Sequence, residues 1–250
     1  MKAVSGKALG FIATAGLLSI VGVVLWSAPA WYFTLLARLH PGCLYQVPTR
    51  DLVVALTIDD SPDSISTSRI LDQLRRHNAG ATFFLITDRV RGQERLIERI
   101  VQGGHQIANH FTRDRPSIWL DRREFEADLL QAHQALSKWV QPRWARPGSG
   151  WYTQKMVDAM RRHGYRCALG SVYPFDVLIP SVPWSSSYIL RNVRPGAIIV
   201  LHDGGDRGLR TARVLSDVLP ELRRRGYRVL SLSELAALDS RRIPGKENRR

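Results

Sequence analysis

The sequence predicts an α/β fold of about seven parallel strands with covering helices, closed as a (β/α) barrel or left as an open doubly wound sheet. Three observations carry this. Short apolar runs alternate with helix-patterned segments from Leu52 onward. Glycines at Gly80, Gly103-Gly104, Gly164 and Gly226 end the helical segments just before the next run. Acids, histidines and one arginine gather at the C-terminal ends of successive runs, where α/β folds bind their ligands.

The elements follow in order. Ala8 to Ala37 contains no charged side chain, and Phe11 to Trp26 is its densest apolar part. A bilayer is spanned by about 20 apolar residues. Lys2 and Lys7 precede the run, and Trp26, Trp31 and Tyr32 sit near its far end like an interfacial belt. This predicts an N-terminal transmembrane helix, with a cleaved signal peptide ending near Ser27-Ala28-Pro29-Ala30 as the rival. Residues 1–40 are then a membrane anchor (or signal sequence) and connector, His40-Pro41-Gly42 and Val47-Pro48 completing the link to a domain at 50–238. Strand-like runs fall at 52–58, 81–86, 105–109, 166–172, 197–202 and 227–232, with a shorter one around Arg143 to Arg146. Helical patterns occupy 67–78, 93–103, 122–140, 153–163 and 211–225. In the third of these, Phe125, Leu129, Leu130, Leu136 and Val140 keep helical rather than alternating spacing. The tail, 239–250, is polar and basic and predicts disorder.

Composition narrows the partners. The chain has 250 residues and a formal net charge of +14. That excess favours anionic partners such as phospholipid headgroups or acidic polymers. No aromatic-interleaved basic patch or recognisable nucleic-acid motif is present, which argues against nucleic acid. Neither GxGxxG nor GxxxxGK[ST] occurs in a phosphate-binding context, which argues against nucleotide use. Cys43 and Cys167 form no CxxC and no disulfide framework, and Cys167 reads as a small core residue.

The chemistry lies at the strand ends. An apolar run stops abruptly at Asp59-Asp60-Ser61-Pro62-Asp63. Neighbours on a strand point to opposite faces, so a buried strand has no use for two successive acids. At the strand's open end they can divide the labour, one holding a metal and one taking a proton. A solvated turn or helix cap is the bland alternative. The next ends carry Asn109, His110 and Asp114, then Arg146-Pro147-Gly148-Ser149-Gly150-Trp151, then Asp176, then His202-Asp203. One acid of the pair, His110 and Asp114 can supply a carboxylate–imidazole–carboxylate set for a divalent ion, the last two at the spacing of one helical turn. The other acid can act as base, His202 as acid, and Arg146 can orient the base. Backbone N–H groups in the Gly148-Ser149-Gly150 turn can receive an oxyanion. The set suits metal-assisted hydrolysis of an amide or ester.

These residues resemble the polysaccharide deacetylases with a NodB-homology domain (carbohydrate esterase family 4), over roughly 50 to 235. Thr57-Ile58-Asp59-Asp60-Ser61-Pro62 is similar to the family's TFDDGP motif, Gly104 to His110 to the approach to H[ST]xxH, Arg146-Pro147-Gly148-Ser149-Gly150 to RxPxG, and Leu201-His202-Asp203 to the last motif. The resemblance implies Asp59 as base, Asp60 and His110 as metal ligands, Arg146 beside the base, His202 as general acid oriented by Asp176, and Leu201 lining an acetate pocket. Asp114 stands where the family has its second metal histidine, giving a more anionic site that favours harder ions. Ser61 replaces a glycine and removes freedom for positive φ at this turn. Ser149, Gly150 and Trp151 are expected at the substrate groove; Trp119, Trp144 and Trp184 are core or sugar-stacking residues. The implied fold is a distorted (β/α) barrel. The implied activity is removal of N- or O-acetyl groups from a cell-envelope carbohydrate, with Zn2+, Mn2+ or Co2+, by a single-pass anchored, extracytoplasmic domain. Two other readings compete: a catalytically weak or silent glycan-binding envelope protein, from the loss of the second histidine, and a deacetylase of a lipid-linked sugar, from the anchor and basic charge.

Overall fold

The computed structural model describes residues 29–240 continuously, together with Gly16, Gly22 and Ser27. Most of the expected transmembrane run, Phe11 to Trp26, and residues 241–250 lie outside the described residues. Among the described residues no helix is long and apolar enough to cross a membrane. The described part begins with α1 (Ala30–Leu39), whose Phe33 and Leu36 pack against a core cluster containing Cys43 and Tyr45.

The strands are β1 (Cys43–Leu44), β2 (Val53–Ser61), β3 (Thr82–Leu85), β4 (Gln106–Asn109), β5 (Trp144–Ala145), β6 (Arg166–Ala168), β7 (Ile198–His202) and β8 (Arg228–Leu230). The helices after α1 are α2 (Ser66–Arg76), α3 (Glu94–Gln102), α4 (Arg122–Leu136), α5 (Gln154–Arg162), α6 (Val182–Asn192), α7 (Gly205–Arg224) and α8 (Leu232–Ser240). The expected strands and helices are present with shifted ends. The sequence reading lacked β1, α6 and α8. Helix α6 opens on a Ser181 N-cap with Pro183 in its first turn, and its Ser-Ser-Ser run hides a buried face of Ser185, Tyr188 and Ile189. Helix α7 begins at Gly205, six residues before the expected 211, because its glycine-rich start reads as a loop.

Every strand pair is parallel, in the order β1-β6-β5-β4-β3-β2-β7, with β8 on the early half of β2. Past β6 the chain meets β7: Val172 bridges Ile199, Ser171 N donates to Ile198 O at 3.0 Å, and Val200 N donates to Val172 O at 3.0 Å. That contact joins the two ends of the strand series, so the arrangement is barrel-like rather than open, with β1 outside the ring against β6.

Alternation assigns the two faces. Leu56, Ile58, Phe83, Leu85, Ile107, Ile199 and Leu201 belong to one core cluster with apolar side chains of α2, α3, α6 and α7. Val53, Ala55, Phe84, Ala108, Trp144, Ala168 and Ile198 form another, with Leu232, Leu235 and Ala236 of α8. The second set fills the barrel and α8 plugs its lower end, where Trp144 Nε1 donates to Ser233 Oγ at 2.9 Å. Continuing the inward parity along each strand brings Thr57 and Asp59, His110, Arg146 and His202 to the barrel's carboxyl end.

Phe84 is fully buried directly beneath that end, its ring centroid 4.1 Å from the Arg146 guanidinium carbon. Phe84→Ala should cost about 3–5 kcal/mol, the range for deleting a buried aromatic ring. A urea denaturation midpoint close to that of the unsubstituted protein would contradict this packing.

Candidate active site

Two adjacent carboxylates reach one site because the backbone turns between them. Asp60 has φ 65°, and the pairing of β2 with β3 shifts register between Ile58 and Ser61. A left-handed residue breaks strand alternation, so Asp60 does not point to the opposite face. The expectation for Ser61 needs correcting: Asp60, not Ser61, takes the positive φ. Ser61 Oγ donates to Asp203 Oδ2 at 2.7 Å. Asp203 also accepts from Ser66 Oγ at 2.5 Å, from Gly204 N at 2.8 Å and from Thr67 Oγ1, tying the ends of β2 and β7 to the start of α2. It is fully buried and structural.

Asp59 is held from one side. Arg146 NH1 donates to its Oδ1 at 2.5 Å and to Thr57 Oγ1 at 3.0 Å, while Nε donates to Ala168 O at 2.9 Å and NH2 to Leu169 O at 2.5 Å. Asp60 meets His110, whose Nε2 lies 3.5 Å from Asp60 Oδ1 and 3.9 Å from Asp59 Oδ2. His110 Nδ1 lies 2.7 Å from the Arg146 carbonyl, which can only accept, so Nδ1 carries the proton and Nε2 faces the carboxylates. Burial raises the Asp60 carboxyl, but His110, His202 and Arg207 overcome it and hold it at about 2.

In register with Asp59 at the end of β7 stands His202, its Nδ1 3.0 and 3.1 Å from the two Asp176 oxygens, with Asp176 Oδ2 also accepting from His202 N at 3.1 Å. That fixes the tautomer and leaves Nε2 outside this pairing. Burial disfavours the imidazolium, but Asp176, then Asp59 and Asp60, outweigh it, and the histidine's pKa is raised. Tyr173 packs edge-on against the ring at 5.7 Å between centroids.

Asp114 is not brought to this group. Phe111 has φ 67°, and 110–116 is not helical, so the one-turn spacing from His110 does not apply. Asn109 Oδ1 accepts from Phe111 N at 2.7 Å and Asp128 Oδ1 from Thr112 N at 2.8 Å, which carries the loop outward. There Asp114 Oδ2 accepts from Arg89 NH2 at 3.0 Å, with its side chain 54% exposed. Arg89 also donates through NH1 to Asp60 O. Among the described residues no group of three His, Cys, Asp or Glu side chains is placed to hold a metal. Asp60 Oδ1 and His110 Nε2 nevertheless fit a divalent ion as a two-donor edge, by tautomer and by charge.

The remaining expectations divide. Leu201 is fully buried, in the core cluster beneath the helices. In the Gly148–Gly150 turn, Gly148 N already donates to Ser117 Oγ at 2.7 Å and Gly150 N to Pro147 O at 3.1 Å, so the expected oxyanion role falls to neither. Ser149, Gly150 and Trp151 are exposed at the rim, as is Trp119, while Trp144 is core and Trp184 Nε1 donates to Pro174 O at 2.8 Å. Sequence reasoning missed Arg207, whose NH1 lies 3.0 Å from Asp60 Oδ2, along with Arg89 and Tyr173. Arg207 follows His202-Asp203 by four residues, and that proximity was the available signal.

The parallel barrel places an arginine-held carboxylate in register with a carboxylate-held histidine at its carboxyl end. The family model for polysaccharide deacetylases matches residues 46–168. A peptidoglycan-N-acetylglucosamine deacetylase of Bacillus cereus is 34% identical over 194 residues, covering 76% of this chain and 91% of that one. A chitooligosaccharide deacetylase of a Bradyrhizobium species is 35% identical over 197 residues, covering 73% and 90%. The crystal structure of a peptidoglycan N-acetylglucosamine deacetylase bound to a naphthalenyl N-oxidanyl-benzamide superposes with a TM-score of 0.74 at 26% identity, covering 78% of this chain and 92% of that one. The chain belongs to the polysaccharide deacetylase family. It is an amide-hydrolysing enzyme of the carbohydrate deacetylase type.

Asp176→Asn should shift the alkaline limb of the pH–rate profile to lower pH and reduce kcat. The acid form of His202, favoured by Asp176, is full at low pH and lost as pH rises through the histidine's raised pKa. An unmoved alkaline limb would show that Asp176 does not control this proton.

Proposed function

We propose that this chain removes the acetyl group from N-acetylated amino sugars of a cell-envelope glycan. The observation that carries the reading is the pairing of Asp59, fixed by Arg146, with His202, fixed by Asp176, as register partners at the ends of β2 and β7, beside the Asp60–His110 pair. Asp59 accepts the proton of the attacking water. His202 donates its Nε2 proton to the departing amine. Arg146 keeps Asp59 oriented. The Ser149 amide is the one in its turn engaged by neither of the two bonds described, and it is assigned to the developing oxyanion. Asp60 and His110 would hold a divalent ion, whose contribution when bound is Lewis-acid polarisation of water and carbonyl. Zn2+ suits an imidazole–carboxylate pair, with Mn2+ and Co2+ as alternatives. Trp151, 66% exposed at the rim, offers an apolar face to a sugar ring. The apolar run Phe11 to Trp26 is assigned as a single-pass anchor, with the rest of residues 1–40 as connector, holding the domain on the extracytoplasmic side with its basic surface toward anionic polymer or headgroups.

Acetate release from N-acetylglucosamine oligomers and peptidoglycan, with each of the three ions supplied, tests the activity. Asp59→Asn should lower kcat by about 10²–10⁴, the usual contribution of a general base. No release from any of these substrates by the unsubstituted protein would sink the proposal.

Metal binding is read separately by calorimetry. Asp60→Asn and His110→Ala should weaken it by at least about 10-fold. Asp114→Ala should leave it unchanged, and Arg207→Ala should strengthen it by freeing Asp60 Oδ2. A loss of binding in Asp114→Ala would show that this residue leaves Arg89 and completes the site. The engagement of Asp114 by Arg89 and of Asp60 by Arg207 also favours a second reading, a glycan binder with little turnover. It predicts glycan binding without acetate release.

A further inference from the structure

The two cysteines lie 124 positions apart in sequence, yet they are direct neighbours in space. Cys43 on β1 and Cys167 on β6 are register partners of a parallel pair, followed by Leu44 and Ala168. Their sulfurs are 2.8 Å apart, and both side chains are buried. Neighbouring strands run about 4.8 Å apart, inside the Cα separation of roughly 4.4–6.8 Å that a disulfide spans. These are the only cysteines of the chain, so neither has another intramolecular partner.

We propose that Cys43 and Cys167 are a modification site: they form an intramolecular disulfide when the protein meets a small-molecule or protein disulfide oxidant, stapling β1 to the barrel. The function of the staple follows from the place of the two strands. β1 is two residues long, lies outside the ring and, among the described residues, pairs with β6 alone. It carries the chain from α1 into the domain, so it is the first ladder the N-terminal segment can pull on. On the other side, Cys167 immediately precedes Ala168 and Leu169, whose carbonyls accept from the Arg146 guanidinium. The staple therefore fixes the stretch of β6 that seats the arginine of the active site.

A cavity of about 270 Å³ is lined by Pro41, Gly42, Cys43, Arg166 and Cys167 and gives the oxidant its approach. Burial and the neighbouring Cys43 sulfur push the Cys167 thiol up, and Cys43, on the outer strand and the more exposed of the two, is assigned as the first nucleophile. Its thiolate attacks one sulfur of the donor disulfide and expels one donor thiol. The Cys167 sulfur then displaces the second donor thiol from the mixed disulfide. Two electrons pass to the donor, and the two cysteine protons leave on the released thiols.

The experiment uses the full chain incubated folded with oxidised glutathione and, in parallel, with dithiothreitol. Expected after oxidation are no titratable thiols under denaturing conditions, an intact mass lower by two hydrogens, a monomer on non-reducing gels and a cross-linked peptide containing Cys43 and Cys167. Reduction should lower Tm by at least about 4 °C, of the size expected for a domain losing a cross-link, and Cys43→Ala with Cys167→Ala should abolish that dependence on reductant. Two thiols persisting after oxidation, a stable glutathione adduct, disulfide-linked dimers, or a Tm indifferent to reduction would overturn the proposal. None of these readouts involves acetate release, so the inference stands or falls apart from the proposed function.

Discussion

Arg146 is the interaction on which the site depends. A guanidinium buried to 3% exposure is tolerable only if its donors are met, since an uncompensated buried charge costs several kcal/mol. Here Thr57 and Asp59 of β2 and the Ala168 and Leu169 carbonyls at the end of β6 meet them, with the Phe84 ring of β3 beneath. Its own carbonyl receives the His110 ring after β4. One residue after the short strand β5 thus gathers five strands of the ring around a fixed carboxylate, Asp59, and a fixed imidazole, His110. The two-residue length of β5 is understandable in this light: side-chain bonds, more than ladder bonds, hold that sector of the barrel.

A strict strand can aim only alternate side chains at the barrel mouth. Asp59 arrives by parity, as do His110, Arg146 and His202. Asp60 arrives by a left-handed backbone, a conformation costing about 1–3 kcal/mol where the surroundings impose it. Arg89 on its carbonyl and Arg207 on its carboxylate supply the constraint. The strain sits at the residue that stands beside Asp59 and still faces His110.

Much of this was legible in the sequence. An apolar run ended by two acids is a local pattern, and so is the strand–helix alternation with glycine stops. His202 and Arg146 followed because each terminates a strand whose apolar run names its face. What escaped depends on long side chains and loops. Arg89 and Arg207 are two among 36 basic residues, and no local period separates an arginine that reaches a carboxylate from one that reaches water. The placing of Asp114 follows from Asn109 and Asp128, whose bonds to Phe111 and Thr112 steer the loop outward and are set by α4 packing. The Cys43–Cys167 pairing joins strands from opposite ends of the domain, so spacing carries no trace of it.

The double grip of Arg89 has one more consequence. A single guanidinium holds both the Asp60 carbonyl and the Asp114 carboxylate. Drawing Asp114 inward and relaxing the backbone at Asp60 are therefore thermodynamically linked, and the linkage is reciprocal. The free energy by which either change biases the other is the same in both directions. The loop after β4 is in this sense coupled to the backbone at the end of β2, with an arginine from a third segment as the transmitting arm.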